Sequence, residues 1–350
     1  MITSSLDEVF LSLALQDISM FRRKPLRINS YLSYGTPSHF RALGRALEFR
    51  NVEFINDLNQ WRTLINIYKQ FESDEIRNTE LLLKLSNGLK FSTKTDKEGY
   101  YVFDRDIEKL HELADNQGWV KYVASFDDDS SPIIKNNIFE GEMIIPSSKA
   151  NYGIISDIDD TILHTGVASF MKWRLIRNTF FRNFDKRMPL EGTSQFYKKL
   201  QLGTLKEPLN PFFYISNSPW NLYDYLTAFL KRHYFPKGPI LLRDFRNPFE
   251  RKPKVKLPHK EREIINLLRI YPDLKFVLIG DSGEKDADIY TKIAKQFPDR
   301  ILAIYVRSVN HAKRFQRIQS IVDNFKTTPM LQVKTSEEAE EHARNIGLIL

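Results

Sequence analysis

Short apolar or alternating runs recur through the first 150 residues, at Leu26–Tyr34, Phe40–Phe49, Leu81–Leu89, Tyr100–Phe103, Val120–Phe126 and Ile138–Ile145. Turn-forming stretches separate them: Gly35-Thr36-Pro37, Ser86-Asn87-Gly88, Thr95 to Gly99 and Asp127 to Pro132. Alternation puts successive side chains on opposite faces of a strand. Several such strands between turns predict a β-rich, sandwich-like N-terminal domain over residues 1–148. One segment breaks the rhythm. Ile55, Leu58, Trp61, Leu64, Ile65 and Tyr68 recur every three or four residues and predict a helix near 55–72. No catalytic constellation stands out in this part.

The pattern changes after Pro146-Ser147-Ser148-Lys149. Compact apolar runs of strand length appear at Tyr152–Ser156, Phe212–Ser216, Ile240–Leu242, Phe276–Gly280 and Ile301–Val306. Helix-patterned stretches lie near 191–202, 219–234, 259–271, 286–297 and 308–325. The fold class expected for residues 149–330 is therefore α/β, a Rossmannoid parallel sheet with helices on both faces. In such a sheet, ligands bind outside the carboxyl ends of the strands. Residues 331–350 read as a helical tail, acidic then apolar from Ser336, suited to docking or self-association.

The 350-residue chain is long enough for two domains, and 42% hydrophobic residues suffice to fill their cores. The absence of cysteine excludes disulfide scaffolds, thiolate metal sites and thiol nucleophiles. The net charge of +8 is unevenly divided: residues 1–150 carry 19 Lys+Arg against 22 Asp+Glu, and residues 151–350 carry 33 against 22. A basic C-terminal part suits a phosphorylated substrate, an anionic membrane surface or nucleic acid. No RNP, zinc or helix-turn-helix signature accompanies the basic run Arg243–Arg262, so no nucleic-acid partner is expected. The N-terminal segment, interrupted by Asp7, Glu8 and Asp17, does not read as a signal peptide, and no run of 18 apolar residues exists. The expectation is a cytoplasmic protein, peripheral to membranes at most.

Candidate chemistry gathers at the strand ends. The first strand of the second part runs into Asp157-Ile158-Asp159-Asp160-Thr161, where alternation lets Asp157 and Asp159 face one site. The fourth runs into Gly280-Asp281-Ser282-Gly283-Glu284-Lys285-Asp286. Two acidic ends in one crevice repel unless a hard cation lies between them, and oxygen ligands with retained water suit Mg²⁺. The second strand ends in Ser216-Asn217-Ser218, short donors for an anion at the opening of a helix. Lys260, after Pro258-His259, brings positive charge at another helix start. An EF-hand beginning at Asp157 is excluded by Ile162 and Ala168, which stand where its glycine and glutamate belong. Together these are the parts of a phosphoryl-transfer site.

In this order, the segments SDIDDTI, FFYISNSPWNLYDYL, HKEREI, and KFVLIGDSGEKDADIY followed by FPDRILAIYVRSV resemble the haloacid dehalogenase superfamily of phosphohydrolases. Within it they are similar to the actin-patch-protein family of phosphatidate phosphatases, across about 150–325. TDKEGYYVFD and the strand around Gly44-Arg45 are similar to the β-rich module that precedes this domain in bacterial members. The resemblance implies a Mg²⁺-dependent phosphomonoester hydrolase acting through an aspartyl-phosphate, with phosphatidate, converted to diacylglycerol, as the leading substrate. It implies Asp157 as nucleophile and metal ligand. Asp159 would be general acid and then base, and its carbonyl would ligate the metal. An acid at that position marks a phosphatase, since dehalogenases lack it. Thr161 would brace the loop, Ser216 with Asn217 would hold phosphoryl oxygens, and Lys260 would offset charge. Asp281 would ligate the metal and Asp286 would orient water or Lys260. Lys252, Lys254 and Lys256 compete with Lys260 for its role, as Glu284 and Asp288 compete with Asp286. Two rival functions are a phosphatase for a soluble phosphomonoester or phosphoprotein, and a non-catalytic lipid- or protein-binding scaffold.

Phe170–Met188 interleaves Trp173, Phe180, Phe181 and Phe184 with lysines and arginines, at the place where this superfamily inserts caps. It reads either as a lid or membrane-facing patch or as an amphipathic helix with a solvated basic face. Trp220 reads as core, and His164 as a loop residue.

Overall fold

The computed structural model describes residues 25–49, 75–127, 132–158, 192–243, 257–282, 285–308 and 312–350. The helix expected near 55–72, the segment Phe170–Met188, and Asp159, Thr161 and His164 lie outside these residues.

The N-terminal module contains β1 (Leu26–Tyr31), β2 (Ser33–Tyr34), β3 (His39–Glu48), β4 (Glu80–Leu85), β5 (Lys90–Lys94), β6 (Tyr100–Asp106), β7 (Trp119–Phe126) and β8 (Phe139–Ile144). They form two sheets, β1-β3-β6 and β2-β8-β7-β4-β5. Phe40, Ala42, Tyr101 and Phe103 of the first share a core with Leu81, Leu83, Val120 and Tyr122 of the second. These are alternate residues of their strands, as the pleat requires. The run Leu26–Tyr34 is broken at Leu32, and its two pieces join different sheets. β5 escapes the apolar pattern because Phe91 is its one large apolar residue; its antiparallel pairing with β4 identifies it.

The second part continues with β9 (Gly153–Asp157), α1 (Thr193–Leu202), β10 (Phe212–Pro219), α2 (Tyr223–Arg232), β11 (Ile240–Arg243) and α3 (His259–Ile270). It ends with β12 (Phe276–Asp281), α4 (Asp286–Gln296), β13 (Ile301–Arg307), α5 (Ala312–Asn324), β14 (Met330–Val333) and α6 (Ser336–Asn345). The strands form one six-stranded parallel sheet, ordered β11-β10-β9-β12-β13-β14. Residues of α1, α2 and α6 bury one face, and residues of α3, α4 and α5 the other. β12 shows why its run is apolar throughout: Val277 and Ile279 enter one core while Phe276 and Leu278 enter the other.

The chain moves outward from β9 to β11, then crosses back to place β12 on the other side of β9. That reversal of order opens a crevice at the carboxyl ends of β9 and β12. Residues 331–350 supply most of β14 and all of α6, and α6 lies against α1, where Glu340 pairs with Lys199 at 2.5 Å. The docking expected of this segment is thus to its own chain. Among the described residues, no helix is long and apolar enough to cross a membrane.

His342 on α6 meets Tyr305 on β13, whose hydroxyl lies 3.1 Å from Nδ1. Burial holds the His342 imidazole below its usual 6.5, because the charged form would lose water. The unfolded chain then binds this proton more tightly than the folded one. The contribution of His342 to stability is fully present above pH 6.5 and is lost as pH falls through that value. Urea midpoints at pH 7.5 and 5.5 should fall further apart in the wild type than in His342→Phe.

Candidate active site

Asp157 ends β9 and Asp281 ends β12, and both are fully buried. Strand register sets their level: Ser156 lies opposite Ile279, so the aspartates project from neighbouring strand ends. α4 begins five residues beyond Asp281. Its first residue, Asp286, folds back on the strand and accepts the Asp281 N–H at Oδ2, 3.1 Å away. Asp286 is equally buried, and one oxygen from each of the three carboxylates lies within 4.8 Å of the others.

Gly280 makes this approach possible. A Cβ there would collide with Asp286 Oδ2 and stand 2.8 Å from the Tyr290 ring, so the requirement is one of space. Tyr290, one turn further along α4, donates to the Ile279 carbonyl at 3.1 Å. Burial, followed by the Asp286 charge, raises its phenol well above 10, which keeps it a donor.

Lys260 supplies the opposite charge. It sits in the first turn of α3, a helix that buries Ile264, Ile265, Leu267 and Leu268 against the sheet. Its Nζ lies 2.9 Å from Asp157 Oδ1 and also bonds Asp286 Oδ1. A lysine only 2% exposed at the amino end of a helix is disfavoured by lost hydration and by the helix dipole. The paired carboxylates offset both terms. Among the described residues, the three carboxylates of this cluster against the one ammonium that pairs with them leave two negative charges in excess. Buried oxygen donors of that net charge fit a hard dication.

Ser216 is buried on β10, one residue beyond Ile215, which pairs with Asp157. Its Oγ accepts the Ser218 N–H at 3.0 Å, and Asn217 beside it is half-buried. The fold therefore brings Asp157, Ser216, Asn217, Lys260, Asp281 and Asp286 to one end of the sheet. Asp288, a competitor of Asp286, turns outward and pairs with Arg317 at 2.6 Å. Glu284, Lys252, Lys254 and Lys256 lie outside the described residues. Trp220 packs against the main core beside Tyr31 of the N-terminal module. Two contributors escaped sequence reasoning. Gly280 carried a signal, a glycine ending a strand immediately before an acid; nothing distinguished Tyr290 from the other aromatic residues.

Residues 152–308 match the family model described as phosphatidate phosphatase APP1, catalytic domain. The chain is 39% identical over 162 residues to the phosphatidate phosphatase APP1 of Saccharomyces cerevisiae, covering 46% of this chain and 26% of that protein. It is 29% identical over 221 residues to an uncharacterized protein of Schizosaccharomyces pombe, covering 63% of this chain and 35% of that one. The chain thus spans little more than a third, at most, of the length of these curated relatives.

Two outcomes follow from the geometry. Gly280→Ala forces Asp286 away from the strand and should cost about 1–3 kcal/mol in a urea titration; wild-type stability would mean the space is there. An added divalent cation should raise the thermal midpoint of the wild type by mass action, and Asp281→Asn should abolish the rise. An equal rise in the variant would locate the ion elsewhere.

Proposed function

We propose that this chain hydrolyses phosphomonoesters, with phosphatidate as its substrate and diacylglycerol and phosphate as products, because residues 152–308 match the family model of the phosphatidate phosphatase APP1 catalytic domain. The observation that carries the reading is the meeting of Asp157, Asp281 and Asp286 with Lys260 in the crevice where the strand order reverses.

Asp157 is the nucleophile. Its carboxylate attacks phosphorus, the ester P–O bond breaks, and the departing alkoxide takes a proton from Asp159. Asp159 then takes a proton from water, the water oxygen attacks the aspartyl-phosphate, and inorganic phosphate leaves with Asp157 restored. Lys260 holds Asp157 in position and offsets the charge gathering there. Both oxygens of Asp286 have partners, Oδ1 in Lys260 and Oδ2 in the Asp281 N–H, so Asp286 orients its neighbours. Ser216 and Asn217 hold the phosphoryl oxygens, and Thr161 braces the nucleophile loop. Mg²⁺ is the ion assigned to Asp157, Asp281 and the Asp159 carbonyl, and when bound it supplies positive charge for the phosphoryl oxygens. The excess of basic residues over 151–350 suits a cytoplasmic enzyme that meets anionic membrane surfaces peripherally.

Phosphate release from phosphatidate in mixed micelles containing Mg²⁺ tests this. Asp157→Asn and Asp159→Asn should each lower it by at least about 1,000-fold. Chelation should abolish it. A wild-type protein that releases phosphate from no phosphomonoester would overturn the enzymatic reading. Equal rates on soluble esters would replace phosphatidate with a soluble substrate.

A further inference from the structure

The stretch Ser216–Ser218 must be held rigidly if it is to seat a phosphoryl group, yet the sheet does not hold it in a regular ladder. β10 pairs with β9 as far as Ile215, opposite Asp157. Its pairing with β11 is regular at Tyr214 and Ile215 and then shifts register before Pro219. Immediately after Pro219 the chain enters a helical turn, Trp220–Leu222, that leads into α2. Whatever fixes Trp220 and the start of α2 therefore fixes the far end of the phosphate-binding stretch.

That support comes from the N-terminal module. Arg27, Asn29 and Tyr31 alternate along β1 and so share one face, while Ile28 turns into the sandwich core. Tyr31, 3% exposed, stacks on the Trp220 indole at 4.8 Å between centroids with 17° between planes. It also lies 4.3 Å from the Tyr223 ring. The Leu32 N–H donates to the Tyr223 hydroxyl at 2.6 Å. Asn29 Nδ2 donates to Asp224 Oδ1 at 2.5 Å, and Arg27 pairs with Asp224 Oδ2 at 3.3 Å. The same segment also grips the base of the sheet. Tyr34 meets the Phe213 ring edge-on at 5.9 Å, and the Tyr271 hydroxyl, just past α3, donates to the Gly35 carbonyl at 2.9 Å.

We propose that Tyr31 is a positioning residue of the hydrolase, and that the N-terminal module serves the reaction by bracing the Ser216–Ser218 stretch through Trp220 and α2. The inference rests on the phosphate-holding role given above to Ser216 and Asn217. Misplacement of such a group by about 1 Å costs on the order of 100-fold in rate, so a stacked aromatic pair that fixes the chain directly after Pro219 governs activity without touching substrate.

The test compares Tyr31→Ala, Tyr31→Phe and Leu83→Ala in the full chain. Tyr31→Ala should raise the inhibition constant of inorganic phosphate by about 10-fold and lower kcat/KM by about 10- to 100-fold. Tyr31→Phe keeps the ring and should restore both to within about two-fold. Leu83→Ala opens the sandwich core away from α2 and should lower the denaturation midpoint without moving the inhibition constant. Asn29→Ala, which removes only the bond to Asp224, should reproduce a smaller part of the effect if Tyr31→Ala does not fold. Unchanged phosphate inhibition in Tyr31→Ala, or an equal rise in Leu83→Ala, overturns the brace. If the wild type cleaves no ester, calorimetric binding of inorganic phosphate to the same variants decides the brace separately from the enzymatic reading. Absence of phosphate binding in the wild type overturns both.

Discussion

The ion pairs from Lys260 to Asp157 and Asp286 tie together the end of β9, the start of α3 and the start of α4. Each group would be expensive to bury alone. A lone ammonium or carboxylate in a dry crevice forfeits several kcal/mol of hydration, and removing one partner of a buried pair typically costs about 3–5 kcal/mol. The three elements are therefore not free to settle independently. Their backbone positions answer to a charge balance at their tips as well as to the apolar packing beneath.

The sheet beneath makes that balance possible. Because the strands are parallel, their carboxyl ends point the same way, and the order reversal between β9 and β12 brings two acid-bearing ends side by side. The crossover through α3 then delivers a helix start, and with it Lys260, to the same end. Gly280 completes the arrangement by leaving room for Asp286 against the strand. A fold of this class needs only a few residues at its rim to define chemistry, and here they come from several loops rather than one.

Much of this was legible in the chain. Strands buried on both faces are apolar at every position, so β9, β10, β12 and β13 announce themselves, and the carboxylates immediately beyond β9 and β12 mark the crevice. Shorter or half-exposed strands do not. β14 is Met-Leu-Gln-Val, too short for any period to register, and the pattern places the domain boundary inside it, after Met330, although the whole strand forms the edge of the sheet. The choice of Asp286 over Asp288 was equally hidden, since both belong to the first turn of α4 and only the helix rotation sends one inward and the other to Arg317. The stacking of Tyr31 on Trp220 leaves no trace in local pattern, because its partners are far apart in sequence.

That separation has a consequence for how the molecule is made. The partners of Arg27, Asn29 and Leu32 on α2 lie 191 to 197 residues further along the chain, and the partner of Gly35 lies 236 residues away. As the chain leaves the ribosome, the sandwich can close its own core early, but the outer face of β1 must wait until α2 has formed. During that interval Tyr31 is an uncovered aromatic surface on a nascent chain. Contacts of such high sequence separation form late and slowly. The surface that later packs against Trp220 and α2 is first an exposed aromatic patch, open to non-native contacts until those residues arrive.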